Sequence, residues 1–154
     1  MLRKTLSRRE LLLAAGAGAL AAGLLPPYAP ALADTAAVED AIKKLLGEVK
    51  PQQGKVALEV PEVAESGANV PFTVVVQSPM TDKDHVKAIH VLAEGNPLPG
   101  VATFHLTPAS GKAQVSLRMR LAKTQNVRAV AVMSDGQAYA ITKEVKVTAG
   151  GCGG

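Results

Sequence analysis

The 154-residue chain has no tryptophan, two phenylalanines, two tyrosines and one cysteine. So few rings exclude a carbohydrate groove built on stacking aromatics. Outside the N-terminal segment only Phe72, Phe104 and Tyr139 could stack on bases, and no block of Lys or Arg accompanies them. Nucleic-acid binding is therefore excluded as the main role. A single cysteine cannot close a disulfide within the chain. The sequence also lacks a CxxCH haem-attachment motif and a glycine loop able to cradle phosphate. No apolar run reaches the roughly 18 residues needed for a membrane span, so no membrane anchor is expected.

What is present fits one globular domain, with 47% apolar and 19% charged residues. The formal charge of +4 belongs mostly to the first residues. Ser7-Arg8-Arg9-Glu10-Leu11-Leu12 places two arginines before Leu11–Leu25, a 15-residue stretch rich in Ala and Gly. The chain then breaks at Pro26-Pro27 and reaches Ala31-Leu32-Ala33, a small-x-small cleavage site. Residues 1–33 read as a twin-arginine-type signal built on Arg8 and Arg9, an ordinary Sec signal being the alternative. Both send the protein out of the cytoplasm, and the periplasm is the expected location. The twin-arginine route would carry it folded, with room for a bound passenger. Removing four of the 17 basic and one of the 13 acidic side chains leaves 13 and 12, close to neutrality. The remaining 121 residues suffice for one core, burying roughly two-thirds of their unfolded surface.

Residues 34–147 divide into a short helix and an all-β body. Asp34 or Thr35 can cap a helix running to about Gly47, with Val38, Ile42, Leu45 and Leu46 on one face. From Lys55 the apolar period changes to two, and strands are expected near 55–60, 70–77, 86–93, 101–106, 113–121, 127–133 and 138–147. In the fifth, Ala113, Val115, Leu117, Met119 and Leu121 alternate with Gln114, Ser116, Arg118 and Arg120, which predicts one core face and one solvent face. Asp135-Gly136 signals a tight hairpin. Seven short strands without intervening helices predict an immunoglobulin-like β-sandwich. Val74-Val75-Val76 and Val130-Ala131-Val132 are apolar on both faces, so the second face requires a cover, either the N-terminal helix or another chain.

Residues 148–154, Thr148-Ala149-Gly150-Gly151-Cys152-Gly153-Gly154, read as a flexible arm. Gly150, Gly151, Gly153 and Gly154 flank the sole cysteine, Cys152, and display it. Five residues beyond Val147 span at most about 17 Å, or about 12 Å as a Gly-rich coil. A solvated thiol with a pKa near 8.5 is only a few per cent thiolate at pH 7, and no His, Lys or Arg adjoins it. Nucleophilic catalysis needs a preorganised base and is disfavoured here. Three readings of Cys152 stay open: a transfer arm that carries a covalent cargo, an intermolecular disulfide in an exported structural β-domain, and an incidental cysteine.

Other chemistry-bearing residues form no recognisable pattern. His85, His90 and His105 lack a cysteine or carboxylate cluster at ligand spacing, so no metal is expected. Asp82 and Asp84 beside Lys83 read as a solvated turn. Met80, Met119 and Met133 are too scattered for a copper site.

A twin-arginine-like signal, a short helix, Ser78-Pro79-Met80-Thr81, Asn96-Pro97-Leu98-Pro99, Phe104-His105-Leu106, Met133-Ser134-Asp135-Gly136 and a terminal Gly-Gly-Cys-Gly-Gly together resemble the SoxY family over essentially the whole chain. The resemblance implies a sulfur carrier, not an enzyme, in bacterial thiosulfate oxidation. It implies that Cys152 holds thiosulfonate and sulfane intermediates, with no separate cofactor and with the four glycines as its flexible flanks. It also implies a SoxZ-like subunit as partner in a heterodimer and three transient partners: a c-type cytochrome that loads thiosulfate, a hydrolase that releases sulfate, and a sulfane dehydrogenase.

Overall fold

A computed structural model describes residues 35–150. One helix, α1 (Thr35–Leu46), precedes eight strands: β1 (Val56–Glu59), β2 (Val63–Ser66), β3 (Val70–Val76), β4 (Val86–Ala93), β5 (Gly100–His105), β6 (Gln114–Met119), β7 (Gln125–Met133) and β8 (Ala138–Ala149). A single 3-10 turn, Pro108–Ser110, connects β5 to β6. Among the described residues no helix is long and apolar enough to cross a membrane.

The strands form a three-stranded sheet, β1-β3-β6, and a five-stranded sheet, β2-β8-β7-β4-β5. All neighbours are antiparallel except β2 and β8. Period-two alternation turns one face of each sheet inward. Val56, Leu58, Val70, Phe72, Val74 and Val76 from the small sheet meet Ile89, Val91, Val127, Ala129, Ala131 and Val145 from the large one in a single core. The all-β sandwich expected from the sequence is thus the observed architecture. Asp135-Gly136 makes the predicted hairpin: Gly136 adopts φ 85°, its N–H donates to the Met133 carbonyl at 3.1 Å, and Asp135 Oδ1 accepts from the Gln137 N–H.

The doubly apolar strands receive their second cover from α1. Val38 and Ile42 pack on Leu92 and Val130, on the outer face of β4 and β7. Arg128, from the same outer face, forms ion pairs with Glu39 of α1 and with Glu94. Its Nε also donates to Thr142 Oγ1 at 3.2 Å. The helix ends as predicted at Gly47, whose N–H donates to the Lys43 carbonyl at 2.8 Å.

Three features differ from the sequence reading. There are eight strands, because β2 was not foreseen. Only Ala64 of its four residues is buried, so it carries no alternation signal, and it exists by pairing with β8. Leu117 lies opposite buried Phe72 but is 52% exposed, because β6 is an edge strand and the sandwich opens along it. Finally, β8 continues to Ala149, so Thr148 and Ala149 belong to a strand rather than to the arm.

Because Ile42 is 4% exposed and joins the helix to the sheet, Ile42→Ala is expected to lower the unfolding free energy by about 2–3 kcal/mol. Urea denaturation checks this; a loss below about 0.5 kcal/mol, the range of a surface change, would mean that α1 does not stabilise the domain.

Candidate functional site: the end of the sandwich at β8

Cys152, Gly151, Gly153 and Gly154 lie outside the described residues, as do the signal arginines Arg8 and Arg9. The site is therefore built from the residues that lead to it. The last pair of β7 and β8 is Gln125 with Val145, so beyond Val145 strand β8 has lost its antiparallel neighbour. Two other segments replace it. On one side β2 pairs in parallel, with Val63 against Lys146 and Ser66 against Ala149. The Lys146 N–H donates to the Glu62 carbonyl at 2.9 Å, and the Gly67 N–H donates to the Ala149 carbonyl at 2.7 Å. On the other side lies the β6–β7 connection, where Thr124 Oγ1 accepts from the Val147 N–H at 2.9 Å.

That connection is itself held by side chains. Asn96 Oδ1 accepts from the Ala122 N–H at 3.0 Å, and Asn96 Nδ2 donates to the Arg120 carbonyl at 2.8 Å. Gln125, 6% exposed, donates through Nε2 to Asn96 Oδ1 and to the Lys123 carbonyl, while its Oε1 accepts from the Gly95 N–H at 2.6 Å. Leu121 N–H closes the circuit by donating to the Gly67 carbonyl at 2.7 Å. A buried amide with both its oxygen and its nitrogen engaged fixes a loop far better than a solvated one, because breaking the bonds strands a polar group in the interior. Sequence reading missed Asn96, Thr124 and Gln125 in this role. Asn96 lies outside every expected strand and Gln125 before the expected start of its own; nothing in their neighbours signals partners more than 20 positions away.

The three histidines are elsewhere. His85 lies at the opposite end, just before Val86, which pairs with Met133. There Nδ1 of His85 lies 3.1 Å from the Thr81 carbonyl, and its N–H donates to Ser134 Oγ. Ser134 Oγ in turn donates to the Lys83 carbonyl, so the loop just before β4 and the Met133–Gly136 turn meet around one hydroxyl. His90 and His105 project from the outer face of β4 and β5, His90 opposite Thr103 and His105 opposite Ala88. His90 Nδ1 lies 3.0 Å from Thr103 Oγ1, and the ring lines a groove of about 480 Å³ shared with Ala41, Lys44 and Leu45 of α1. Burial, with a smaller contribution from His105, holds its pKa below the usual histidine value. Among the described residues no three His, Cys, Asp or Glu side chains converge as a metal site.

Against known families, residues 42–152 match the model of the sulfur oxidation protein SoxY. The sulfur carrier protein SoxY from Chlorobium limicola f thiosulfatophilum is 36% identical, superposes with a TM-score of 0.63, and is matched over 75% of this chain and 99% of its own. The chain belongs to the SoxY family. The superoxide reductase (neelaredoxin) from Ignicoccus hospitalis shares the sandwich at 19% identity, TM-score 0.55, over 75% of this chain and 94% of its own. At that identity the likeness is one of fold alone. No curated protein matches.

The histidine at position 90 gives a pH signature of the domain. Its folded-state pKa lies below the ordinary 6.5, so the unfolded chain binds the extra proton first as pH falls. Stability is complete above about 6.5 and declines as pH drops through the lower, folded value. His90→Asn is expected to flatten this decline in urea midpoints measured between about pH 7.5 and 5; an unchanged slope would assign the effect to other groups.

Proposed function

We propose that this chain is the periplasmic carrier of sulfur-oxidation intermediates in thiosulfate oxidation, with Cys152 as the point of covalent attachment. The observation that carries the reading is where the family match ends. It runs from residue 42 to residue 152, so the chain's one cysteine is the last matched residue, three positions beyond the last residue of β8. The similar Chlorobium protein, a sulfur carrier, supports it.

In this reading Arg8 and Arg9 direct export by the twin-arginine route, and a SoxZ-like subunit forms a heterodimer with the chain. The loading enzyme, a c-type cytochrome protein, joins the Cys152 sulfur to the sulfane sulfur of thiosulfate. The thiol loses its proton and two electrons pass to the haem enzyme, leaving a cysteine-linked thiosulfonate. A hydrolase then uses water to release the terminal sulfone as sulfate, and a dehydrogenase oxidises the sulfane sulfur that remains, taking oxygen from water and six electrons to its own acceptor, so that a second hydrolysis releases sulfate and restores the thiol. The protein contributes no catalytic group. Tethering keeps a small anion from diffusing away and offers it to each enzyme at a high effective concentration. The thiol is a poor nucleophile until a partner deprotonates it, which confines its reaction to the partner's active site.

The decisive experiment is the intact mass of the exported protein from cells oxidising thiosulfate, before and after reduction. The expected result is a reducible sulfur adduct on the peptide containing Cys152, absent from Cys152→Ser, with folding of that variant unchanged. A bare thiol, or only a disulfide-linked dimer, while thiosulfate is being consumed would overturn the carrier reading.

A further inference from the structure

Gly150 reads in the sequence as the first glycine of the flexible arm, and it is exposed, yet the direction a side chain would take from it is filled by main chain. A Cβ added at Gly150 would overlap the backbone carbonyl oxygen of Ala122, well inside any contact that real Cβ atoms make. The clash is with main chain, so no side-chain rotation relieves it. The backbone of Gly150 is not left-handed, so glycine is required here for space and not for conformation. The Ala122 carbonyl cannot easily retreat, because the Ala122 N–H is held by Asn96 Oδ1, Asn96 is held by buried Gln125, and the Leu121 N–H is bonded to the Gly67 carbonyl. The residue before Gly150 is fixed as well: the Ala149 carbonyl accepts from the Gly67 N–H, and two positions earlier Val147 is bonded to Thr124.

We propose that Gly150 is a positioning residue: set against the Ala122 carbonyl just beyond β8, it fixes the root of the arm to the body. The assignment deepens the carrier reading and, for its consequence on loading, rests on it. Two residues then separate the fixed root from the thiol, a reach of about 7 Å rather than the 17 Å allowed to a free segment beginning after Val147. An enzyme can receive so short an arm only by docking close to this end of the sandwich, and the direction in which the arm departs becomes part of what it recognises.

The test compares Gly150→Ala with Gly151→Ala in the full chain by amide hydrogen exchange at Gly67, which needs no activity. Displacing Ala149 weakens the Gly67 bond, so Gly150→Ala is expected to speed exchange there roughly tenfold, whereas Gly151→Ala leaves it unchanged. Equal protection in Gly150→Ala and the unsubstituted protein would overturn the seat. Loading of Cys152 by the thiosulfate-loading enzyme is measured in parallel with alkylation by free iodoacetamide. A misdirected arm lowers kcat/KM for the enzyme by roughly tenfold or more while alkylation stays the same. Unchanged loading would overturn the positioning role even if exchange rises. Should Gly150→Ala fold poorly, Thr124→Val removes the hydroxyl from Val147 without adding bulk; faster exchange at Val147 with reduced loading is then expected, and no change in either overturns the proposal. If the unsubstituted protein takes up no sulfur at all, the carrier reading falls, while the exchange at Gly67 still decides where the arm is rooted.

Discussion

A central strand with two apolar faces sets the requirements the rest of this fold meets. β7 turns Val127, Ala129, Ala131 and Met133 toward the small sheet and Val130 outward, and every one of these is buried. Such a strand cannot stand in a two-layer sandwich with one wet side, because leaving Val130 and its neighbour Leu92 in water forfeits the burial that orders them. The inner face is covered by the three-stranded sheet and the outer face by α1. Arg128 is the one charged residue that β7 sends into the outer layer. Its pairing with Glu39 and Glu94 on either side is what makes it tolerable there, since a half-buried guanidinium without partners would oppose the packing of the helix.

The same requirement separates the two ends of the molecule. With both faces of β4 and β7 largely occupied by packing, the polar networks besides the Arg128 cluster and the His90–Thr103 pair on the outer face gather at the strand ends. At one end Ser134 joins the loop before β4 to the β7–β8 hairpin. At the other, Asn96, Gln125 and Thr124 tie the β4–β5 and β6–β7 connections to the last residues of β8. None of the three histidines belongs to this second end: His85 lies at the first, and His90 and His105 stand on the outer face.

Much of this was legible in the sequence because burial writes itself as period. Every strand of at least six residues was found within two residues of its ends, and α1 was found through Val38 and Ile42. The doubly apolar triplets correctly announced a second cover. What could not be read was set by neighbours distant in sequence. β2 is a strand only because β8 passes beside it; Val63 and Glu65 face solvent and leave no pattern. Leu117 shares the alternation of buried Met119, but its exposure depends on β6 being last in its sheet. Composition said where the glycine-rich arm begins, whereas pairing with Ser66 and Gly67 decides where the strand stops.

Strand and arm therefore divide the work in a way composition conceals. A tether confers effective concentration in proportion to how well its reach matches the distance to be spanned, and excess length dilutes the cargo as surely as too little excludes it. Extending β8 to Ala149 and bracing it with a short parallel strand carry the held part of the chain two residues into the stretch that composition assigns to the arm. Four glycines in a row of five suggest maximal freedom, but freedom in a tether is useful only beyond the last point at which the body holds it. Here the body holds on as far as the bond between Gly67 and Ala149 reaches.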